Sequence, residues 1–304
     1  MLNELHSYIK VGIVHFMAFP ETMRGEGPIL ETISKIAEDD FFSAIEVTAI
    51  KDPGVRDQVA RLLQTSDLAV GFGAQPLLLM GKHDLNSLDE EKRVRAVDAI
   101  KAAVDEAYLL GSERLAVLSG PNPGPDRRTE AIPRLVKSLN EIGEYAESKG
   151  KLGITLEVFD REIDKKCLIG STAEAVAVAR EVRRRFPSFG LMIDLSHLPM
   201  QGETAVESLS LAKDYLVHTH IGNCVIKDRA HPAYGDSHPR FGLPGGENGV
   251  EELRDFLQAL FEVGYLREGS RSYVAFEVKP QPGETSAAVI ANAKRTLKEA
   301  WARL

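Results

Sequence analysis

Cysteine is almost missing: the 304 residues contain two, Cys167 and Cys224, and neither belongs to a C-x-x-C pair. A disulfide framework and a zinc–thiolate site are thereby excluded, and a reducing compartment suits the chain. No apolar run approaches the roughly 18 residues of a membrane span. The opening MLNELHSYIKVGIVHFMAF places acidic and polar residues ahead of a short apolar stretch, unlike a basic-then-apolar leader. An excess of basic charge is also lacking, with 37 Lys and Arg against 45 Asp and Glu and a net charge of −8. That balance repels a polyanionic backbone, so neither nucleic acid nor membrane is an expected partner. The expectation is an unprocessed, soluble, cytoplasmic protein. A phosphate-cradling loop is absent as well: GLPGGENG is followed by no P-loop lysine and serine, and no glycine fingerprint follows the first apolar run.

What the chain does contain is alternation. Short β-branched or apolar runs recur between longer amphipathic stretches from end to end, as expected of parallel strands joined by crossover helices. Eight such runs are read, at residues 11–16, 44–48, 69–74, 114–118, 153–157, 190–194, 216–221 and 272–276, with a last helix at 285–303. Ser87 before Glu90 and Ser171 before Glu174 have the spacing of capping boxes and mark two helix starts. The predicted fold is α/β, a (β/α)8 barrel occupying residues 1–304 as one domain, a length that such barrels commonly reach. A large doubly wound sheet is the competing arrangement. One connection stands out, a loop at 222–249 after the seventh strand that carries HPAYGDSHPRFGLPGGENG. Loops that long are usually functional or disordered, and the aromatic and basic residues in this one fit a substrate-facing loop better than a linker.

Barrel enzymes place their active sites at the C-terminal ends of the strands. There the last four strands each end in a metal-ligand type: Glu157 in LEVFD, Asp194 in MIDLSH, His220 in HTHIGN and Glu277 in AFEVKP. A charged residue at a solvated barrel mouth often does no more than face water, but four in succession point to a site. Three carboxylates and one imidazole suit one hard or borderline divalent ion, Mn2+ first, with Mg2+ or Co2+ as alternatives.

The motifs LEVFDRE, IDLSH, HTHIGN and FEVKP resemble the strand-end motifs of the xylose-isomerase-like sugar isomerase and epimerase superfamily, over essentially the whole chain. The resemblance implies that Glu157 and Glu277 bind metal and act as an acid/base pair, that Asp194 and His220 complete the metal site, and that His197 contacts substrate. The chain departs from the ketose 3-epimerases in carrying Asn223 where a glutamate is frequent, and Ile226 and Lys227 near the place of a substrate-binding arginine. With its long loop it looks more like the large subunit of bacterial C-glycoside deglycosidases. That likeness implies β-elimination from a 3-keto C-glycoside and a small β-type partner subunit. The alternative is a homo-oligomeric ketose 3-epimerase or aldose–ketose isomerase, and a DNA-repair endonuclease on the same barrel is disfavoured by the acidic charge.

Four further residues are candidate substrate contacts. His15 near the first strand end either meets substrate or packs in the core. His238 and Arg240 in the long loop either hold an aglycone or belong to a surface loop packed on a subunit. Lys279, two after Glu277 on the same strand face, either stabilises an oxyanion or pairs with a carboxylate. His218 is expected to face away from His220 and to serve structure.

Overall fold

The computed structural model describes residues 5–304. Its strands are β1 (Ile9–Ile13), β2 (Ala44–Val47), β3 (Ala69–Gly73), β4 (Arg114–Leu118), β5 (Gly153–Glu157), β6 (Gly190–Asp194), β7 (Leu216–Gly222) and β8 (Ser272–Glu277). Between and after them run α1 (His15–Ala18), α2 (Ile29–Ala37), α3 (Pro53–Ser66), α4 (Gln75–Gly81), α5 (Glu90–Leu109), α6 (Arg128–Lys149), α7 (Thr172–Arg183), α8 (Leu198–Gln201), α9 (Ala205–Ala212), α10 (Val250–Glu262) and α11 (Ser286–Ala302). Neighbouring strands pair in parallel, in the order β1-β8-β7-β6-β5-β4-β3-β2. The seam between β1 and β2 is drawn together by the Ser43 amide donating to the Val11 carbonyl at 2.9 Å and by a parallel bridge between Val14 and Glu46. The result is a nearly closed (β/α)8 barrel, as the alternation predicts.

Small residues permit the closure. A Cβ on Gly12 would lie 2.9 Å from the Ala275 Cβ and 3.3 Å from that of Ala44, so β8, β1 and β2 converge where only glycine and alanine fit. Elsewhere the strands are buried on both faces: every residue of GITLE and of GLMID is buried, the composition of a strand covered outside by helices and inside by its own barrel. The helices contribute one apolar stripe each, such as Ile29, Thr32, Ile33 and Ile36 of α2. Among the described residues no helix is long and apolar enough to cross a membrane.

Several boundaries move from their expected places. The first strand ends at Ile13 rather than at residue 16, because His15–Ala18 closes a helical turn. Ser171 does cap α7, accepting from the Glu174 amide. Ser87 does not cap α5: Asp89 takes that role, its carboxylate accepting from the amides of Glu91 and Lys92, while the Ser87 hydroxyl accepts from the Asp89 amide. A carboxylate at the positive end of the helix outcompetes a hydroxyl two residues earlier.

The long β7–α10 connection is folded, and its two ends are stitched together by two asparagines. Asn223 Oδ1 accepts from the amides of Cys224 (2.9 Å) and Asn248 (2.7 Å), and its Nδ2 donates to the Arg240 carbonyl (3.0 Å). Asn248 Nδ2 in turn donates to the Gly222 carbonyl at 2.9 Å. Asn223 thus serves the loop's backbone. Asn223→Ala should cost roughly 1–3 kcal/mol, the penalty of unpaired buried amides, read as a lower denaturation midpoint. Faster amide exchange should be confined to the 223–249 loop, and unchanged exchange there would contradict this role.

Candidate active site

Glu157, Asp194 and Glu277 are each the last residue of their strand, and His220 lies two before the end of β7. Each of the four offers one ligand-type atom, and those atoms all lie within 4.8 Å of one another in the buried mouth of the barrel. His220 Nδ1 is 2.7 Å from Glu277 Oε2 and 3.4 Å from Glu157 Oε1. Its other nitrogen, Nε2, is 2.8 Å from Glu46 Oε1 on β2. An imidazole that aims one nitrogen at a carboxylate cluster and gives the other to an orienting carboxylate has the arrangement of a metal ligand.

Two observations test whether a cation fits. Glu157 Oε1 is buried and has no hydrogen-bond partner, although Oε2 of the same carboxylate accepts from Gln75 Nε2 at 2.7 Å. The donor set itself, three carboxylates and one imidazole, matches a hard or borderline divalent ion. The group fits, and these four side chains could hold it. Burial pushes the Asp194 carboxyl above its usual range. Burial disfavours a charged His220, but Glu46 and Glu277 outweigh it and raise its pKa well above the ordinary imidazole value.

His218 corrects an expectation. Residues two apart on a strand share a face, and His218 indeed joins His220 inside the barrel, both Nε2 atoms lying 2.8 Å from Glu46 Oε1. Burial opposes ionisation of Glu46, yet these imidazoles lower its pKa overall. His218 therefore braces the glutamate that orients His220.

His197 is fully buried, with its ring 4.5 Å from that of Phe159. A carbonyl can only accept, so Nδ1 donates to the Val158 carbonyl (3.0 Å), leaving Nε2 against Asp236 Oδ1 at 3.0 Å. Against the effect of burial, Asp236 and Asp194 raise its pKa well above the usual value. Asp236 also faces His238 Nε2 (2.8 Å) and Lys165 Nζ (2.9 Å). The long loop thus delivers Asp236 and His238 into the site, with His238 in the left-handed region at φ +48°.

A cavity of ≈ 190 Å³ opens beside the cluster. Its polar lining is Gln75, Glu157, His220, Glu277, His238, Asp236, Lys165 and Lys279. Its apolar lining is Val14, Phe16, Met17, Met23, Pro76, Leu79, Met80 and Phe159. Of the sequence candidates, Glu157, His220, Glu277, His238 and Lys279 line it, whereas Asp194 and His197 lie behind its wall. Two are placed elsewhere. His15 is 2 % exposed with Nε2 2.8 Å from Thr32 Oγ1 on α2, and burial pushes its pKa down to about 3. The helical turn that ends β1 early swings it out of the cavity, and Phe16 and Met17 enter instead. Arg240 donates from Nε to Glu284 Oε1 at 2.9 Å, an ion pair that holds it away from the cavity. Sequence reasoning missed Glu46, Gln75, Lys165 and Asp236. The available signals were a lone charge in the apolar strand AIEV and a polar residue just past the end of β3.

Residues 36–299 match the family described as Xylose isomerase-like TIM barrel, and the chain belongs to it. Among solved structures it is similar to a D-tagatose 3-epimerase-like protein (19 % identity, 97 % of this chain and 99 % of that chain, TM-score 0.71). It is also similar to an L-ribulose 3-epimerase (18 % identity, 97 % and 96 % covered, TM-score 0.71). A third is the apo form of 3-keto-D-glucoside 4-epimerase from E. coli (16 % identity, 95 % and 99 % covered, TM-score 0.66). At these identities the likeness is one of fold. No curated protein matches the chain by sequence.

The carboxylate behind His220 gives the candidate cation site a direct test. Glu46→Gln, which leaves all four candidate ligands in place, should weaken Mn2+ binding roughly 10- to 100-fold in calorimetric titration. An unchanged affinity would show that His220 needs no orienting carboxylate.

Proposed function

We propose that the protein is a divalent-metal-dependent sugar epimerase or isomerase, which exchanges a proton on the carbon next to a sugar carbonyl. The observation that carries this reading is the pair Glu157 and Glu277, placed on either side of His220 and both lining one cavity. The epimerase names of the structural neighbours support it.

A divalent ion held by Glu157, Asp194, His220 and Glu277, with Mn2+ first among the candidates, would supply Lewis-acid polarisation of a carbonyl or hydroxyl oxygen. The remaining work falls to the chain. Gln75 donates to Oε2 of Glu157 and holds that carboxylate at the cavity. Glu277 lies with Oε1 3.5 Å from His238 Nε2. One carboxylate takes the proton from carbon as the electron pair moves onto the carbonyl oxygen. The other, presented from a different strand, returns a proton to the opposite face, which inverts the centre. The apolar wall keeps water from the carbanion.

A second reading is the large subunit of a C-glycoside deglycosidase working with a small β-type partner. It is favoured by the apolar wall, since Leu79 and Met80 stay 41 % and 42 % exposed beside the cavity, where a bare sugar has nothing to hydrogen-bond and an aromatic aglycone would pack. Both readings share the proton-abstraction step and differ in what the carbanion then does.

NMR of the Mn2+-loaded protein in D2O separates them, using free ketoses and 3-keto C-glycosides in separate incubations. Deuterium incorporation or epimer formation in the free sugars is the expected result. Aglycone release with free sugars untouched would transfer the assignment to the lyase, and neither reaction, with any co-purifying partner restored, would overturn both.

A further inference from the structure

The β5–α7 loop is built at some cost around a lysine that the proposed chemistry has not yet used. Asp160, fully buried, commits its carboxylate to three consecutive backbone amides, those of Ile163 (2.6 Å), Asp164 (2.9 Å) and Lys165 (2.8 Å). Lys166 follows in the left-handed region at φ +52°, a conformation that disfavours any residue but glycine, asparagine or aspartate. Its carbonyl is pinned by the Asn122 amide at 2.8 Å, and Cys167 bridges to Pro121. This tight turn sends Lys165 into the cavity that Glu157 and Glu277 line. There Nζ is held by Asp164 Oδ2 at 2.7 Å and Asp236 Oδ2 at 2.9 Å, one carboxylate from its own loop and one from the long β7–α10 loop. An ammonium has three N–H donors. Two are taken by these carboxylates, and one remains.

We propose that Lys165 is a catalytic residue, whose third N–H donates to the oxyanion that develops on the substrate carbonyl when Glu157 or Glu277 removes the neighbouring proton. The step balances: the proton passes to the carboxylate, the C–H electron pair becomes the C=C bond, the carbonyl π pair becomes the oxyanion, and reprotonation of carbon reverses all three. Preorganisation distinguishes Lys165 from Lys279, the cavity's other lysine, for which no ion pair is found among the described residues. A donor fixed before the charge appears contributes more than one that must first be ordered. Backbone strain gathers where geometry is over-determined for function, and the turn at Lys166 is such a place. The assignment rests on the proton-exchange reading above.

The test is Lys165→Met, with Lys165→Cys treated with 2-bromoethylamine as the rescue. That reagent rebuilds an ammonium of nearly the same reach, and Cys167 and Cys224 are buried from it. Removing one preorganised donor should lower kcat for deuterium exchange by roughly 10²–10³ while KM stays within about threefold, and aminoethylation should restore most of the loss. A Lys165→Met enzyme that keeps kcat within about threefold overturns the proposal, as does an aminoethylated protein that regains its melting temperature but not its turnover. Calorimetry decides the point independently of the reaction. A sugar hydroxamate, an anionic mimic of the enediolate, should bind Lys165→Met at least tenfold more weakly than wild type, with the matching neutral alditol unaffected. If the wild type exchanges no proton on any keto sugar, the proton-exchange reading fails; that hydroxamate difference would still uphold Lys165 as the oxyanion donor. Equal hydroxamate affinities, or no binding by either protein, overturn it.

Discussion

An ionised carboxylate taken out of water loses solvation worth several kcal/mol even after the protein relaxes around it, so a fold that buries several together has to answer them with charge or hydrogen bonds. Glu157, Asp194 and Glu277 are each under a tenth exposed and present ligand-type atoms within 4.8 Å of one another and of His220. Most of the barrel mouth can be understood as the answer to that demand. Ser196 gives Asp194 both its amide (2.7 Å) and its hydroxyl (2.6 Å), and Gln75 satisfies one oxygen of Glu157. Glu46, from β2 and braced by His218, fixes His220. The oxygen of Glu157 left without a partner is where these protein groups run out, and the proposed divalent ion is the simplest thing to complete the set.

Around this centre two loops do what the strands cannot. The β7–α10 loop, closed by Asn223 and Asn248, carries Asp236 and His238 inward; the β5–α7 loop, wound on Asp160, carries Lys165. They meet at Asp236, which faces two imidazoles and an ammonium at 2.8–3.0 Å. Against the cost of burial, His238, His197 and Lys165 hold the Asp236 carboxyl well below the usual range. Rigid strands thus supply the proposed cation ligands, and braced loops supply the positive charge facing them. Apolar residues just after β1, on α1 and on α4 complete the cavity lining.

The strand-end cluster was legible because a parallel barrel converts sequence position into place: residues at the ends of the strands reach the mouth, whatever their neighbours. Five of the eight strands shifted by one residue or more at an end, with the largest change at β1, where local helical propensity in HFMA overrode the apolar run and removed His15 from the site. Glu46 was not legible as a partner of His220, since the two are 174 residues apart and only closure of the barrel brings β2 and β7 face to face across its interior. Lys165 and Asp236 lie in loops whose paths depend on tertiary hydrogen bonds from Asp160, Asn223 and Asn248, and no periodicity announces those. The misreading of His218 had a different source, a face assignment that the two-residue strand repeat contradicts.

Anomalous diffraction from crystals of the protein equilibrated with Mn2+ tests the cation site most directly. One strong peak is expected, enclosed by Glu157, Asp194, His220 and Glu277, with the Glu157 Oε1 atom among the ligating oxygens. A barrel mouth without a peak at saturating Mn2+, or a peak that leaves Glu157 and Glu277 unliganded, would contradict it.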